Sequence, residues 1–574
     1  MTADQPDISG MSIDEAVRQG FAMQGQGRHE DAVRFFSRAE ETADRIDALG
    51  GLAFSYRALG QIPDALVTYQ RLLALKPDLA ETHYEIGTLL LGSGLFDQAT
   101  DFFRTAVRLN PDFLPTYLFL AYVMLMQCSW ENIESVIARV QECVASQDPQ
   151  IQRQIPLFVL LALPLDRQSR LRISRLLSDA AGVRTSATEL PVRKIPARPL
   201  KKIGYLSPDF RAHSVGLAIQ DILAHHDHQR YEIYGYSVAS GAADSLTDSL
   251  KENFTCWRDL AGRSHVEVAE AIRADDIDIL IDLAGHTRGA RLESLALRPA
   301  RIQAHFLGYG FTMGAEYIDY LITDGTTTPS AHRDSCSEAL VYLPYHSLPV
   351  GKVTQSHTKI SRSDYGLPLE GFVFADFNSH HKIENRAFDA WMRILKQVEN
   401  SILWLMDGDE TTKKNLNSAA RTRGVDPDRI LFAKRLPHED HCLRLKLVGL
   451  ALDTFLHAGG VTTTDALCAG IPVLVLNDRS TVDATGVSLV RAADMPELVT
   501  TSETEYVARA VELARSPEKL HTSRQKLAAS IARPAPLFDN KHLTHDLENA
   551  FEQMWTIYQS DTPPVDVFVR GHMA

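Results

Sequence analysis

Residues 452–472 read LDTFLHAGGVTTTDALCAGIP, and the rest of the chain is organised around them. The apolar run ending at Leu452 predicts a buried strand, Gly459 and Gly460 permit a tight turn, and Thr462, Thr463 and Thr464 stand where a helix would begin. The free N–H groups of a helix's first turn, with the positive end of its dipole, suit a diphosphate, and small hydroxyl side chains add donors. Asp465, one step further, cannot hold phosphate but is placed to accept hydrogen bonds from the ribose of the same nucleotide. A Thr-capped strand-to-helix turn without any ligand uses the same residue types, so the flanking sequence has to decide.

Upstream, GFVFADFN, SILWLMDG, RILFAKRL and GLALDTFL, and downstream IPVLVLND, are strand-like runs separated by helix-length segments. An earlier series, KKIGYLSPDF, YEIYGYSVA, DIDILIDLAGHT, RIQAHFLGYG and IDYLITD, has the same alternation. The pattern predicts two Rossmann-like lobes in succession, residues 199–362 and 363–574, with ligand in a cleft at the carboxyl ends of the strands.

Chemistry-bearing residues cluster just after those strands. His213 follows the first, in SPDFRAHSVG, where an imidazole could position an incoming hydroxyl or exchange a proton with it. His286, in Gly285-His286-Thr287, stands at the same edge after DIDILIDLA. In the second lobe FNSHHK, residues 377–382, ends a strand, and Lys382 could neutralise charge on a leaving diphosphate. His438 and His441, with Arg444 one turn on, follow RILFAKRL in HxxH spacing; no carboxylate or cysteine beside them completes a metal set, so nucleotide contact is the expected use. Asp407-Gly408-Asp409 resembles a metal-binding DxD but is equally a polar turn. His225-His226-Asp227-His228 reads as a solvated turn, because adjacent side chains diverge.

The first part of the chain is a helical repeat array. Gly27, Gly60 and Gly94, like Ala32, Ala65 and Ala99, recur at intervals of 33 and 34 residues, and Pro77 and Pro111 at 34. This is the spacing of tetratricopeptide helix pairs, which predicts a small α superhelix over residues 1–127 with a concave, peptide-holding surface. Residues 128–198 form a helical connector ending in the proline-rich linker 189–199.

Composition bounds the rest. A chain of 574 residues, 45% hydrophobic and 23% charged, is a multidomain globular protein, and a formal charge of −14 argues against nucleic-acid binding. Six scattered cysteines without a CxxC pair suit reduced thiols rather than disulfides or zinc. The first residues lack the features of a signal peptide and no apolar run spans a membrane, so a cytoplasmic location is expected.

The repeats together with SPDFRAHSVG, residues 278–324 (DILIDLAGHTRGARLESLALRPARIQAHFLGYGFTMGAEYIDYLITD), FNSHHKI and LDTFLHAGGVTTTDALCAGIPV resemble the O-GlcNAc transferase and SPINDLY family over nearly the whole chain. The resemblance implies an inverting, metal-independent glycosyltransferase of GT-B architecture, with no cofactor, that modifies Ser/Thr hydroxyls of proteins. It implies His213 as the active-site histidine and Lys382 as the diphosphate-binding lysine. Asn378 and Ser379 fall near the nucleotide, the Leu436 backbone with His438, His441 and Arg444 at the base, and Gly460, Val461, Thr462, Thr463, Thr464 and Asp465 at diphosphate and ribose. His286 and Tyr309 would meet acceptor or sugar. His438 stands where animal members have Lys, Gly460-Val461 replaces their His-Thr, Ser379 replaces an amide, and Gly310 replaces the Pro of LGYPGT. His438, Ser379 and the Gly460-Val461 loop would lie near the nucleotide. UDP-GlcNAc is the favoured donor, GDP-fucose the alternative. A repeat adaptor with decayed lobes and an asparagine glucosyltransferase are the competing functions, and a homo-oligomer is compatible with the repeats.

Overall fold

The computed structural model describes residues 10–40, 46–146, 163–185, 200–239, 241, 243–351, 359–478 and 482–571. The linker 189–199 and part of the connector lie outside the described residues. The chain forms two compact units, one of residues 1–124 and 131–143, the other of residues 125–130 and 144–574.

The first unit is helical. Ile13–Gly25 and His29–Glu40, Ile46–Ala58 and Ile62–Leu75, and Ala80–Gly92 and Phe96–Leu109 form successive helix pairs. Gly27, Gly60 and Gly94 each occupy the turn inside a pair at φ of 72°, 73° and 76°, a left-handed conformation that favours glycine, which explains their period. Ala32, Ala65 and Ala99 are fully buried where paired helices approach.

The second unit contains two parallel sheets. Strands β1 (Lys201–Ser207), β2 (Tyr231–Ser237), β3 (Cys256–Asp259), β4 (Ile279–Asp282), β5 (Ile302–His305), β6 (Tyr320–Asp324) and β7 (Ala339–Leu343) belong to the first; β8 (Phe372–Asp376), β9 (Ser401–Met406), β10 (Ile430–Ala433), β11 (Leu450–Leu452), β12 (Val473–Leu476) and β13 (Val499–Thr500) form the second. The first sheet is ordered β14-β7-β6-β5-β4-β1-β2-β3, where β14 is Val567–Phe568, and the second β10-β9-β8-β11-β12-β13. Strands buried on both faces, such as β4 (ILID) and β12 (VLVL), explain the continuous apolar runs. Strand order reverses between β1 and β4 in one sheet and between β8 and β11 in the other, so the loops after these four strands are where ligand is expected. This is a two-lobed α/β arrangement consistent with GT-B architecture.

The end of the chain departs from the expected division. The sequence pattern puts all of residues 363–574 in the second lobe, yet helix Asn540–Gln559 packs Leu543, Leu547, Phe551 and Met554 into the first sheet's core, and β14 pairs with β7. His226, expected in a solvated turn, is buried under that helix, with Nδ1 3.0 Å from Glu548 Oε1 and Nε2 2.8 Å from the Tyr205 hydroxyl. Among the described residues no helix is long and apolar enough to cross a membrane, and all six cysteines are free.

Candidate active site

A cavity of about 730 Å³ lies between the carboxyl ends of the two sheets. Of the residues expected at the site, His213 and Tyr309 from the first lobe border it, with Asn378, Ser379 and Lys382 after β8 and Leu436, His438, His441 and Arg444 after β10. Gly460, Val461, Thr462 and Asp465 complete that set. Thr463 and Thr464 are buried one layer back, in the helix Val461–Cys468.

The turn before that helix is built by contact rather than by φ. A Cβ on Gly459 would stand 2.4 Å from Thr463 Oγ1 and 2.7 Å from Thr462 Oγ1, and neither Gly459 nor Gly460 has a positive φ. The Thr463 and Thr464 N–H groups donate to Gly460 O at 3.0 Å each, while Val461 and Thr462, at the helix start, present N–H groups with no intrahelical acceptor. The Gly459 N–H donates to Asp453 Oδ1 at 2.8 Å. Asn378 locks the cradle to β8: its amide donates to Asp376 Oδ1 (2.7 Å) and Asp453 Oδ1 (3.3 Å), and its carbonyl accepts from the Thr462 hydroxyl (2.7 Å). Lys382 Nζ donates to Ala458 O at 2.7 Å, which places the ammonium beside the same turn.

Asp376 and Asp453 lie beneath this cradle, 4% and 2% exposed. Burial raises both carboxyl groups above their ordinary range, and the proximity of Asp453 raises Asp376 further. Sequence reasoning missed both as site residues; Asp376 ends β8 and Asp453 directly follows β11, the two strands at a switch point, which was the available signal.

Helix His438–Leu445 forms the facing wall. Arg444 is 1% exposed, with its guanidinium over the Phe377 ring at 4.8 Å and Nε donating to His441 Nδ1 at 3.0 Å; Nη2 is buried without a hydrogen-bond partner. His441 packs edge-on to Phe377, and burial beside that guanidinium lowers it to about 3, so it is neutral. His438 points the other way. Its Nε2 is 2.9 Å from Asp465 Oδ1 and 3.5 Å from Cys442 Sγ, and the hydrogen bonds to Asp465 and Cys442 raise it to about 10, which keeps it cationic at neutral pH. The missing carboxylate and cysteine of the HxxH reading are thus present after all. They come from the next turn of the same helix and from a second helix, while His441 faces away.

His213 caps helix Ser214–His225, its Nδ1 accepting the Val215 N–H at 3.3 Å, with Asp209 Oδ2 3.6 Å from the same nitrogen. His286 does not border the cavity. Gly285, at φ 60°, turns the chain inward, and His286 Nε2 bonds Met313 O at 2.8 Å in a fully buried setting that lowers its pKa to about 4. Tyr309 is 1% exposed with its hydroxyl 3.3 Å from Ser174 Oγ, so it reaches the cavity as part of a wall rather than through a free hydroxyl. Asp409 caps helix Glu410–Thr422 through the Thr412 N–H at 2.7 Å, the polar-turn reading of Asp407-Gly408-Asp409.

The family model described as glycosyl transferase family 41 matches residues 128–360 and 345–547, and a tetratricopeptide-repeat model matches residues 55–94. The chain is 31% identical over 462 residues to the probable UDP-N-acetylglucosamine–peptide N-acetylglucosaminyltransferase SEC of Arabidopsis thaliana, covering 78% of this chain and 47% of that protein. It is 33% identical over 383 residues to a Solanum lycopersicum protein described as a probable enzyme of the same kind, SPINDLY, covering 64% and 40%. The chain therefore spans about half or less of the length of these curated relatives. Among solved structures, a point mutant of Thermobaculum terrenum O-GlcNAc transferase superposes with a TM-score of 0.65 at 27% identity, covering 96% of this chain and 98% of that one.

Proposed function

The chain belongs to glycosyl transferase family 41, and on that premise we propose that it is an inverting protein O-glycosyltransferase that moves GlcNAc from UDP-GlcNAc to Ser/Thr hydroxyls. The observation that carries this reading is the convergence of Lys382, the start of helix Val461–Cys468 and Asp465 on one cavity wall, with His213 of the other lobe on the same cavity. The diphosphate would lie on the Val461 and Thr462 N–H groups beside Lys382, the ribose at Asp465, and the base between His441, Arg444 and the Leu436 backbone.

The reaction is a single displacement. The acceptor oxygen attacks the anomeric carbon from the face opposite the diphosphate, and the bonding electrons leave with the diphosphate, where Lys382 and the helix start stabilise them. While His213 Nδ1 accepts the Val215 N–H, Nε2 carries the ring proton of the neutral imidazole and acts as a donor that orients sugar or acceptor. The other neutral tautomer, with its proton on Nδ1 and facing Asp209 Oδ2 3.6 Å away, has Nε2 unprotonated and able to take the acceptor's proton. None of these steps calls for a metal, because the cation and helix dipole do that work.

The helical repeats, of the tetratricopeptide kind, would select protein acceptors. A truncated chain lacking residues 1–124 should hydrolyse the sugar nucleotide near the full-length rate while modifying whole proteins poorly; equal loss of both activities in a folded truncation assigns the repeats a structural role.

Calorimetric titration with UDP-GlcNAc, GDP-fucose and UDP-glucose, followed by mass spectrometry of modified lysate, tests the donor. Tight binding of GDP-fucose alone, with fucosylated products, would replace the GlcNAc reading by the fucosyl one.

A further inference from the structure

We propose that His438, Cys442 and Asp465 form a binding site for a soft divalent cation, zinc foremost, in the wall of the donor cavity, and that an ion bound there competes with the nucleotide. The ligand atoms of these three residues all lie within 4.8 Å of one another. His438 and Cys442 are four residues apart and so share one face of helix His438–Leu445, and Asp465 meets them from helix Val461–Cys468. Zinc bonds to nitrogen, oxygen and sulfur of about 2.0–2.3 Å at tetrahedral angles require ligand atoms roughly 3.3–3.6 Å apart. His438 Nε2 and Cys442 Sγ are already 3.5 Å apart, and the 2.9 Å between Nε2 and Asp465 Oδ1 has to open by only about half an ångström to match.

The donor set chooses the ion. A thiolate with an imidazole suits zinc, cobalt or cadmium and is a poor match for magnesium or calcium, which take oxygen ligands. Cys442 and Asp465 are each 5% exposed, whereas His438 and Asp465 border the cavity, so three protein ligands would hold the ion with its fourth position toward the cavity. The ligands bind in their deprotonated forms, imidazole nitrogen, thiolate and carboxylate, so binding releases protons. The competition, unlike the site, rests on the proposed placement of ribose at Asp465, since the ion and the ligand in its fourth position would occupy the space the ribose needs.

The test uses full-length protein pre-treated with EDTA and then freed of chelator. Titration with Co²⁺ should produce a thiolate-to-cobalt charge-transfer absorption that saturates at one ion per chain and disappears in Cys442→Ser. Zn²⁺ calorimetry in buffers of different ionisation enthalpy should show proton release that falls in the same variant. Absence of the absorption, or its persistence in Cys442→Ser, overturns the site. Zn²⁺ should weaken UDP binding by on the order of tenfold or more in wild type and leave Cys442→Ser unaffected. If cobalt binds through Cys442 but UDP binding is unchanged by Zn²⁺, the metal site stands and the placement of ribose at Asp465 fails.

Discussion

Lys382 Nζ donates a 2.7 Å hydrogen bond to the carbonyl of Ala458, joining the loop after β8 to the turn that opens helix Val461–Cys468. The ammonium is therefore held beside the helix start that is proposed to carry the diphosphate. In the proposed mechanism its charge would matter most when the diphosphate takes on the bonding electrons. Lys382→Ala should lower turnover by on the order of a hundredfold or more at saturating donor, about 3 kcal/mol of lost transition-state stabilisation, with a smaller effect on UDP affinity. Near-wild-type turnover at saturation would remove the leaving-group role from Lys382 and leave the stabilisation to the helix start.

Asp465→Ala would remove the proposed ribose contact, which would be made equally in ground and transition states, so its main effect should be on KM for the sugar nucleotide, roughly tenfold, with kcat much less changed. A kcat loss as large as that of Lys382→Ala would place Asp465 in the chemical step.

Gly459→Ala tests the cradle's geometry. Its Cβ would collide with the hydroxyls of Thr462 and Thr463, displacing the helix start without altering any charge. UDP affinity should fall at least about tenfold while the thermal midpoint shifts by only a few degrees. Unchanged affinity would show that the helix start does not hold the diphosphate.

The buried Asp376 carboxyl, raised from 3.8 to about 7 by burial and by Asp453, binds its proton more tightly in the folded chain than in the unfolded one. Its contribution to stability is therefore present in acid and is lost as pH rises from about 4 to 7, at up to about 1.4 kcal/mol per pH unit. Asp376→Asn resembles the protonated carboxyl and should gain on wild type in thermal midpoint across that interval. A constant difference between the two at every pH would show that Asp376 does not titrate there.

Activity should survive EDTA, and chelation of adventitious zinc should raise it if the His438 site is occupied during purification. Loss of turnover on EDTA treatment, restored by manganese, would reinstate Asp407 and Asp409 as ligands despite the helix-capping role of Asp409.

Local geometry was legible in the sequence because backbone conformation leaves a short-range imprint. The glycines at 27, 60 and 94 had to recur, since each makes a left-handed turn between paired helices. Apolar runs ending in Ser207, Asp376 and Leu452 had to be strands buried on both faces, and residues just past such strands lie at a sheet's carboxyl edge. The glycine-threonine helix start could be read for the same reason: turn, hydroxyls and first helical residues are contiguous.

Only the tertiary structure decided which of those edge residues meet. His286 and His213 both follow strands of one sheet, yet a positive φ at Gly285 sends His286 into the core while His213 caps a helix at the cavity. His438 finds Asp465, 27 residues away, and not the nearby His441, because that pairing depends on two helices docking rather than on spacing along one. The C-terminal helix returns to the first sheet for a similar reason: its apolar face reports that it must be buried, and carries no record of which sheet buries it.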